Sequence, residues 1–541
     1  MIKELHLNPQ QFFYTAVVLV TLCFVAMFIN LGAHHMFVHT DEPRRAVVAM
    51  EMIFSGNYVV PTLNGEPYLN KPPLLSWITV SSFVFLNSFS EFAHRLPTLI
   101  ALFGFCLLIF FANRAALNST TALLVVLAML TNGPRMLFYD SFIGMIDIPF
   151  ATIVYAMFMA VYFFGQAKNY RGLFLMTYFL TALAFLTKAL PALVFCGFTL
   201  VAYFLFFDNW RRLLSLEHAL GILLMIGVLG VYYGFYLHSS GIDPFTLLQT
   251  IFHESAKRTV IRFGVVDTLI HLVTFPFNCL ANFAPWSFLG FLLLNKQIRS
   301  ALWQDRFVRY NIVILIANLL VYWTSPEVHP RYLFMHAALY FTIAVRASLL
   351  AAEMNSVWIK AMNAVLITLG ALFLGALYYM APYIVKEPQF HLDSIAGPLI
   401  WAVIASVPFV VLLRADSHSI KLLAMAAILI IGRFDYSIYM LPYRAYTQEP
   451  LRQKAMEIAA KTRGEPLFLY GSNSVQDGTT YYIERGRGEI LRRHTPEPGD
   501  PPAYYLVSKE MLKQRGWQAL AQLPTLFHKD LFLVKLEGAA S

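Results

Sequence analysis

The sequence predicts a polytopic α-helical membrane protein with a small soluble α/β domain at its C-terminal end. Hydrophobic residues make up 58% and charged residues 13% of the chain, and the mean hydropathy is +0.59, which is far more apolar than an ordinary globular protein. Apolar runs of about 17 to 25 residues, long enough to cross a bilayer as helices, recur from Phe12 to about Leu441. The composition after Tyr443 is that of a soluble protein. We therefore predict a transmembrane domain over residues 1–442 and a soluble domain over residues 443–541.

The apolar runs define about thirteen candidate spans. The first run, from Phe13, is too long for a signal-peptide core and has no small-residue cleavage site before His34, so we expect a retained span. The candidate spans are residues 12–33, 92–113, 119–137, 148–166, 171–187, 190–207, 217–238, 268–293, 309–324, 332–350, 358–381, 395–413 and 419–438.

Basic residues in the short loops predict the orientation of the spans. One alternating set of loops contains most of them, including Arg114, Arg211 and Arg212, and is cytoplasmic by the positive-inside rule. The opposite face then receives the first outer loop, residues 34–91, and the C-terminal domain. The net charge is +9, but the basic residues are scattered at span ends, which favours contact with membrane lipids and argues against nucleic-acid binding.

The first outer loop is polar although it lies between long apolar runs. Residues Glu42 to Phe54 have apolar side chains at helical spacing, and Ser55-Gly56-Asn57 stops the pattern, which predicts a helix lying along the membrane interface. Pro72-Pro73 stiffens the end of the loop. The apolar segment from Leu74 to Leu86 is too short to span, so it is a second interfacial or re-entrant piece.

The C-terminal domain alternates short apolar strands with amphipathic helices. We interpret Gly486-Arg487-Gly488 as a flexible turn, because the lysine and hydroxyl residue of a phosphate-binding loop do not follow it. Helices are predicted over residues 449–461 and 509–520, and strands over residues 466–470, 503–507 and 531–535.

Carboxylates on the outer face are the first candidates for chemistry. Asp41 and Glu42 directly follow the first span, and Asp147 lies at the matching place before a later span, with Asp140 as its competitor. Two carboxylates in one outer cavity bind a metal, act as acid and base, or orient an acceptor. For Glu42 alone, the alternative is an acidic residue at a solvated helix N-terminus.

Cations on the same face are suited to a lipid-linked phosphate. Their alternative role is ordinary headgroup contact. His253 next to Glu254 is a candidate metal-ligand pair, although a lone histidine is more often hydrogen-bonded. Tyr332 either caps a cavity or belongs to an interfacial aromatic belt. The cations are Arg44, Lys71, Lys257, Arg258, Arg262 and Arg331.

The first outer loop resembles that of lipid A aminoarabinose transferases and of the wider protein-mannosyltransferase-like GT-C glycosyltransferases. The similarity rests on TDEPRRAVVAMEMIFSGNYVVPTLNGEPYLNKPPLLSW and continues in the same order through IDIPFA, LTKALPAL, Glu254 to Arg258, Ala284-Pro285-Trp286 and HPRYLF. The resemblance implies a GT-C fold in the bacterial inner membrane, with the C-terminal domain in the periplasm. It also implies transfer of a sugar from a polyprenyl-phosphate donor to lipid A or another envelope acceptor.

The same resemblance assigns roles to individual residues. Asp41 matches the catalytic acid of the first loop and Asp147 the second acid. Arg44 and Lys71 match basic residues that hold the donor phosphate, and Tyr68 lines the same pocket. Arg258 and Tyr332 match other residues of the substrate cavity, and we include Glu42 with the substrate-binding residues.

The sequence departs from the aminoarabinose enzymes at Asn70 and Ser255. Those enzymes typically have Glu at the first position and His at the second, and both residues contribute to a metal site. A divalent metal therefore stays open as a cofactor, with His253 and Glu254 as its candidate ligands. Sugar transfer to a protein or another glycan is the alternative activity. A transporter is disfavoured because most candidate spans have no charge in mid-span.

Overall fold

A computed structural model describes residues 7–37, 41–256, 260–386, 396–497, 500–524 and 530–536. The chain divides into two compact units, each built from three segments. Unit 1 comprises Met1–Asn30, Thr98–Val231 and Ile251–Met440, and unit 2 comprises Leu31–Pro97, Tyr232–Thr250 and Leu441–Ser541. The C-terminal residues are thus grouped with the first outer loop. The domain boundary after residue 442 stays a prediction.

Helices dominate the described chain, as the composition predicts. In chain order they are α1 (Pro9–Phe28), α2 (Asp41–Ser55), α3 (Leu74–Phe85), α4 (Glu91–Ala116), α5 (Ser119–Leu130), α6 (Gly133–Arg135), α7 (Asp147–Gln166), α8 (Tyr170–Lys188), α9 (Pro191–Phe206), α10 (Leu216–Ser240), α11 (Pro244–Ala256), α12 (Val260–Asn282), α13 (Lys296–Gln304), α14 (Arg306–Trp323), α15 (Phe334–Glu353), α16 (Val357–Lys386), α17 (Ala396–Arg414), α18 (His418–Asp435), α19 (Leu441–Lys461), α20 (Asp477–Arg487) and α21 (Lys509–Arg515).

Within the described residues, 11 helices are long and apolar enough to cross a membrane. The predicted span 119–137 is instead a broken pair, Ser119–Leu130 and Gly133–Asp140, bent by 79°. The predicted span 190–207 is the shorter apolar helix α9. Together these elements correspond one to one with the thirteen predicted spans, so the multi-pass membrane architecture is confirmed.

One predicted span has a different end. The run 268–293 is helical only as far as Asn282, and a 3₁₀ segment, Trp286–Leu294, follows Pro285. Pro285 lies at this break, where the missing N–H of proline removes one backbone donor, whereas Pro276 is accommodated within α12. Hydropathy alone does not detect this break, because both pieces are apolar.

Unit 1 has α15 as its most buried long helix. The helix and the 3₁₀ turn before it form the segment Pro330–Glu353, and 83% of its apolar stretch of 18 residues is buried. It packs on α5, α7, α14 and the segment Trp286–Leu294. The turn at its N-terminal end is thereby fixed next to the start of α7.

Unit 2 places the predicted helix of the first outer loop in a protein core. Helix α2 matches the predicted range within one residue at each end, and Gly56 follows it at φ +69°. A two-residue hairpin comes next, β1 (Thr62–Leu63) and β2 (Glu66–Pro67), closed by Asn64-Gly65, the sequence that favours a tight hairpin turn. Almost every residue from Glu42 to Met52 is buried, so α2 has more than one buried face.

The C-terminal region forms a mixed five-stranded sheet in the order β4-β3-β5-β7-β6. Strand β3 is parallel to β4 and β5, while β7 is antiparallel to β5 and β6. The predicted strands are confirmed as β3, β5 and β7. The strands are β3 (Leu467–Tyr470), β4 (Arg492–His494), β5 (Ala503–Ser508), β6 (Ala521–Leu523) and β7 (Leu531–Leu536).

Two local predictions in this region are corrected. The predicted helix 509–520 ends at Arg515, because Gly516 adopts a left-handed conformation at φ +67° and caps it. Gly486 and Arg487 belong to α20 rather than to a flexible turn, and the turn is confined to Gly488, at φ +74°. Helix α20 itself was not predicted, because its first turn consists of Asp, Gly and Thr, which are poor helix formers.

One core joins the first outer loop to the C-terminal sheet in unit 2. It contains the apolar side chains of α2, including Val47 and Met50, together with Ile458 of α19, Tyr482 of α20 and Leu506 of β5. Burial of apolar surface on this scale fixes α2 and its side chains against the sheet domain.

Candidate active site

Four charged or aromatic side chains meet at one end of the helices of unit 1. Asp147 is the first residue of α7 and Lys188 is the last of α8, while Arg331 and Tyr332 lie in the 3₁₀ turn before α15. Lys188 Nζ donates to Asp147 Oδ1 at 2.7 Å, and Arg331 Nε lies 3.0 Å from Asp147 Oδ2. The helix dipoles favour an acid at the start of α7 and a cation at the end of α8.

Tyr332 completes this buried group. Lys188 Nζ lies 3.8 Å from the centre of the Tyr332 ring, a close cation–π contact. Asp147, Arg331 and Tyr332 are buried, and the Lys188 side chain is 9% exposed. Each carboxylate oxygen of Asp147 is already next to a cation, so accepting a proton from a substrate would break an ion pair. The geometry therefore suits Asp147 to orienting Lys188 and Arg331, and its predicted role as a catalytic acid stays a prediction.

A second charged group lies at the start of α2 in unit 2. Asp41 and Arg44 are one helical turn apart, and Arg44 Nη1 donates to Asp41 Oδ1 at 3.2 Å. Arg44 Nε and Nη2 lie 2.9 Å and 2.8 Å from Asp477 Oδ2. About a third of each of the Asp41 and Arg44 side chains is exposed. The pair is thus held in place while remaining accessible to a ligand.

The charge of Arg44 is secured by its neighbours. Burial by itself lowers the pKa of Arg44, but the negative charges of Asp477 and Asp41 outweigh that effect and raise the pKa above its ordinary value. Arg44 is therefore a permanent cation that is suited to an anionic ligand such as a phosphate.

Tyr68 is positioned by Arg45, the neighbour of Arg44. Arg45 Nη1 donates to the Tyr68 hydroxyl at 2.9 Å, and its guanidinium lies 5.7 Å from the centre of the tyrosine ring. The backbone N–H of Tyr68 donates to Pro61 O at 2.7 Å. Both side chains are buried. Tyr68 therefore belongs to the same unit as Asp41 and Arg44, as the sequence predicts.

Glu42 has a buried partner in α4. Arg95 Nε and Nη2 donate to the two Glu42 carboxylate oxygens at 2.7 Å and 3.2 Å, and Arg95 Nη1 donates to Leu31 O at 3.0 Å. The Arg95 side chain is 0% and the Glu42 side chain 1% exposed. This geometry gives Glu42 a structural role, and its predicted contact with substrate stays a prediction.

Glu51, near the other end of α2, binds the hairpin and faces a second acid. Its carboxylate accepts hydrogen bonds from the N–H groups of Asn64 and Gly65 at 2.6 Å and 3.1 Å. Burial raises the pKa of Glu51. Burial, followed by the negative charge of Glu51, raises the pKa of Glu484 well above its ordinary value. Glu484 therefore holds the proton of this pair.

The raised pKa of Glu484 predicts a loss of stability as the pH rises. The protonated Glu484 side chain contributes its full stabilisation below the unfolded-state pKa of 4.5. This contribution is lost as the pH rises through the higher pKa of Glu484 in the folded state, because the folded form binds one proton more than the unfolded form. Glu484→Gln is expected to flatten this dependence and to raise the melting temperature at about pH 9 by about 2 °C or more. Thermal melts of the two proteins between about pH 5 and pH 9 measure how the melting temperature depends on pH.

Glu457→Gln is the matched control for this measurement, because the Glu457 side chain is 59% exposed on α19. That variant should keep the wild-type profile. A Glu484→Gln protein whose melting temperature follows the wild-type pH dependence would contradict the assignment of the proton.

The described residues do not form the metal site that was left open. They contain no group of three or more His, Cys, Asp or Glu side chains arranged to hold a metal ion. His253 and Glu254 are consecutive on α11, and consecutive helical residues do not face each other. We therefore derive no step through a metal.

The remaining predicted site residues are only partly described. Lys71 is half-buried just before Pro72-Pro73, and Asn70 is exposed. Lys257 and Arg258 lie outside the described residues, and the side chain of Arg262 does so as well.

Four residues of these clusters were not predicted as site residues. Lys188 lies between the predicted spans 171–187 and 190–207, and Arg95 lies within the predicted span 92–113, although a charge within such a run is itself a signal of function or pairing. Arg45 is signalled by the Arg44-Arg45 pair. Asp477 carries no local signal, because it lies 433 residues from its partner.

Sequence comparisons cover part of the chain. Residues 70–233 match the family model described as dolichyl-phosphate-mannose-protein mannosyltransferase. A relative from Shewanella sediminis (strain HAW-EB3), an undecaprenyl phosphate-alpha-4-amino-4-deoxy-L-arabinose arabinosyl transferase, is 31% identical over 196 residues, which are 34% of each chain. A protein of Aquifex aeolicus (strain VF5) is 29% identical over 206 residues, 38% of this chain and 45% of the relative. The matches thus span less than half of either relative.

Structural comparison covers nearly the whole chain. The crystal structure of ArnT from Cupriavidus metallidurans bound to undecaprenyl phosphate matches with a TM-score of 0.70 at 19% identity, over 97% of this chain and 98% of that one. The apo structure of the same protein matches with a TM-score of 0.68 at 19% identity, over 96% and 97%. The resemblance inferred from the motifs is thereby confirmed at the level of the fold: this chain has the fold of ArnT, and over residues 70–233 its sequence is similar to that of the dolichyl-phosphate-mannose-protein mannosyltransferases.

Proposed function

We propose that this protein is an integral-membrane GT-C glycosyltransferase that moves a sugar from a polyprenyl-phosphate donor to an acceptor in the bacterial cell envelope. The observation that carries the proposal is the partly exposed Asp41–Arg44 pair at the start of α2, which joins a carboxylate to a permanent cation at 3.2 Å. Transfer of a sugar from its phosphate ester to a hydroxyl acceptor uses both groups, because the carboxylate activates the acceptor and the cation neutralises the leaving phosphate.

The reaction is an inverting displacement at the anomeric carbon of the sugar. The acceptor oxygen forms a bond to that carbon while the bond from the carbon to the phosphate oxygen breaks, and the polyprenyl phosphate departs with the electron pair. Arg44 stabilises the charge that develops on this phosphate, together with Lys71. Phosphate is a good leaving group once its charge is balanced, so positioning and electrostatics supply most of the rate.

The role of Asp41 depends on the acceptor. With a hydroxyl acceptor, Asp41 takes the proton as the new bond forms. With a phosphate group of lipid A as acceptor, the attacking oxygen is already ionised, and Asp41 instead orients Arg44. The Asp41 carboxylate takes part with either acceptor, but the rate depends on it more strongly with a hydroxyl acceptor than with a phosphate acceptor.

We further propose lipid A as the acceptor and 4-amino-4-deoxy-L-arabinose as the sugar, at the periplasmic face of the inner membrane, where the C-terminal domain also lies. The similarity to the Shewanella relative and the fold of ArnT support this choice. The sheet domain shares a core with the first outer loop, which supports assigning both to the same face of the membrane. Transfer to a protein or to another glycan is the alternative, and no observation favours it.

Mass spectrometry of lipid A from cells with and without the gene tests the acceptor and the sugar. We expect a mass increment of an aminopentose only when the gene is present, and its loss in an Arg44→Gln strain. Lipid A of identical mass in the two strains would overturn the proposed acceptor. A different increment would overturn the proposed sugar and retain the transfer reaction.

A further inference from the structure

The Arg44 guanidinium is held by a residue of the C-terminal sheet domain. Its Nε and Nη2 atoms both lie within 2.9 Å of Asp477 Oδ2, while Nη1 donates to Asp41 at 3.2 Å. The Asp477 side chain is 14% exposed, against 30% for Arg44. One edge of the guanidinium thus rests on the less exposed acid, and the orientation of the whole group follows from that contact.

Asp477 is itself fixed by close packing of α20. A Cβ atom on the next residue, Gly478, would lie 2.3 Å from Met36 O, so the start of α20 directly touches the backbone that leads toward α2. One turn further on, the Tyr482 hydroxyl accepts a hydrogen bond from Met36 N at 3.1 Å and donates one to Glu91 Oε1 at 2.6 Å. These contacts give Asp477 one position relative to Arg44.

We infer that Asp477 is a positioning residue of the transferase, through which the C-terminal domain orients the Arg44 guanidinium toward the departing phosphate. The inference rests on the proposed function. Asp477 touches Arg44 rather than the reacting atoms, so it acts by holding the cation in the geometry that the transition state needs. Without it, Arg44 keeps its charge but samples other rotamers, because only the weaker contact with Asp41 remains.

Asp477→Asn tests the inference in the purified full-length protein. The donor is undecaprenyl-phosphate-linked 4-amino-4-deoxy-L-arabinose, and the release of undecaprenyl phosphate is followed. We expect kcat to fall about 10-fold or more, with little change in KM and an unchanged melting temperature, because a misplaced cation weakens transition-state binding. Asp477→Glu should restore most of kcat, since its carboxylate still reaches Arg44.

A double-mutant cycle separates positioning from simple stabilisation. In an Arg44→Gln background, Asp477→Asn should cause no further loss of kcat, because the group that it orients is gone. Asp500→Asn is the control: Asp500 is paired with His494 at 2.7 Å in the same domain, and its loss should leave kcat unchanged.

The possible failures are distinguishable. If wild type transfers the sugar and Asp477→Asn has the wild-type kcat, the inference is overturned and the proposed function stands. The inference is also overturned if Asp477→Asn lowers kcat equally in the presence and absence of Arg44, or only in proportion to a loss of folded protein. A wild-type protein that transfers no sugar from any polyprenyl-phosphate donor overturns the proposed function and the inference together.

Discussion

Replacing Asp41 by asparagine is expected to lower kcat for sugar transfer to a hydroxyl acceptor by about 10²- to 10⁴-fold, the usual contribution of a general base. The amide is nearly the same size but takes no proton. Its oxygen still accepts the hydrogen bond from Arg44 Nη1, which is 3.2 Å long in the wild type, so the fold should persist. The measurement is turnover of the polyprenyl-phosphate sugar by purified protein, with a thermal melt to confirm folding.

Glu66→Gln is the matched control, because it removes another carboxylate from the same loop whose side chain is 64% exposed. It should leave kcat unchanged. A fall of only about 10-fold in Asp41→Asn indicates an acceptor that is already ionised, in which case Asp41 orients Arg44. Asp41→Asn protein turning over the donor at the wild-type rate would remove Asp41 from the mechanism.

Breaking the Glu42–Arg95 pair should have the largest effect on stability. Glu42→Leu removes the carboxylate that is hydrogen-bonded to the Arg95 guanidinium, which is 0% exposed, and the loss of one partner of such a pair costs about 3 to 5 kcal/mol. The thermal melt of the full-length protein in detergent should shift to lower temperature accordingly. Activity is expected to fall only as far as folded protein is lost.

The double variant Glu42→Leu with Arg95→Met separates the two interpretations of Glu42. Replacing a buried ion pair by apolar side chains is often neutral or stabilising, so this protein should recover most of the melting temperature. If Glu42 is structural, kcat and KM recover as well. A stable double variant with a raised KM for the donor would show instead that Glu42 contacts substrate.

The sequence predicts those elements of the fold whose signal is local. Thirteen apolar runs predict the spans, and the stop signal after Phe54 predicts the end of α2 at Ser55. The predicted strands of the sheet domain also carry a local pattern. Breaks inside apolar runs, such as the bend after Leu130, are not predicted from hydropathy, because the residues on both sides of the break are apolar.

The site shows the same division. Asp41 directly precedes the helix predicted from Glu42 and Arg44 lies in its first turn, so their contact is local in the sequence. Arg95 lies 53 residues from Glu42 and Asp477 lies 433 residues from Arg44, and no local pattern connects them. Lys188 belongs to the quoted motif LTKALPAL, but no local pattern predicts that it binds Asp147.

The sequence alone thus determined that this is a multi-pass membrane protein with a charged first outer loop, because the length and hydropathy of a segment dictate whether it crosses a bilayer. It also predicts Asp41, Arg44 and Tyr68 as site residues through the similarity of their motif, and that assignment stays a prediction. Only the tertiary structure decided which cation meets which carboxylate, since an ion pair depends on the packing of distant elements. That packing brings Asp477 to Arg44, and it gives the C-terminal domain a part in the proposed reaction.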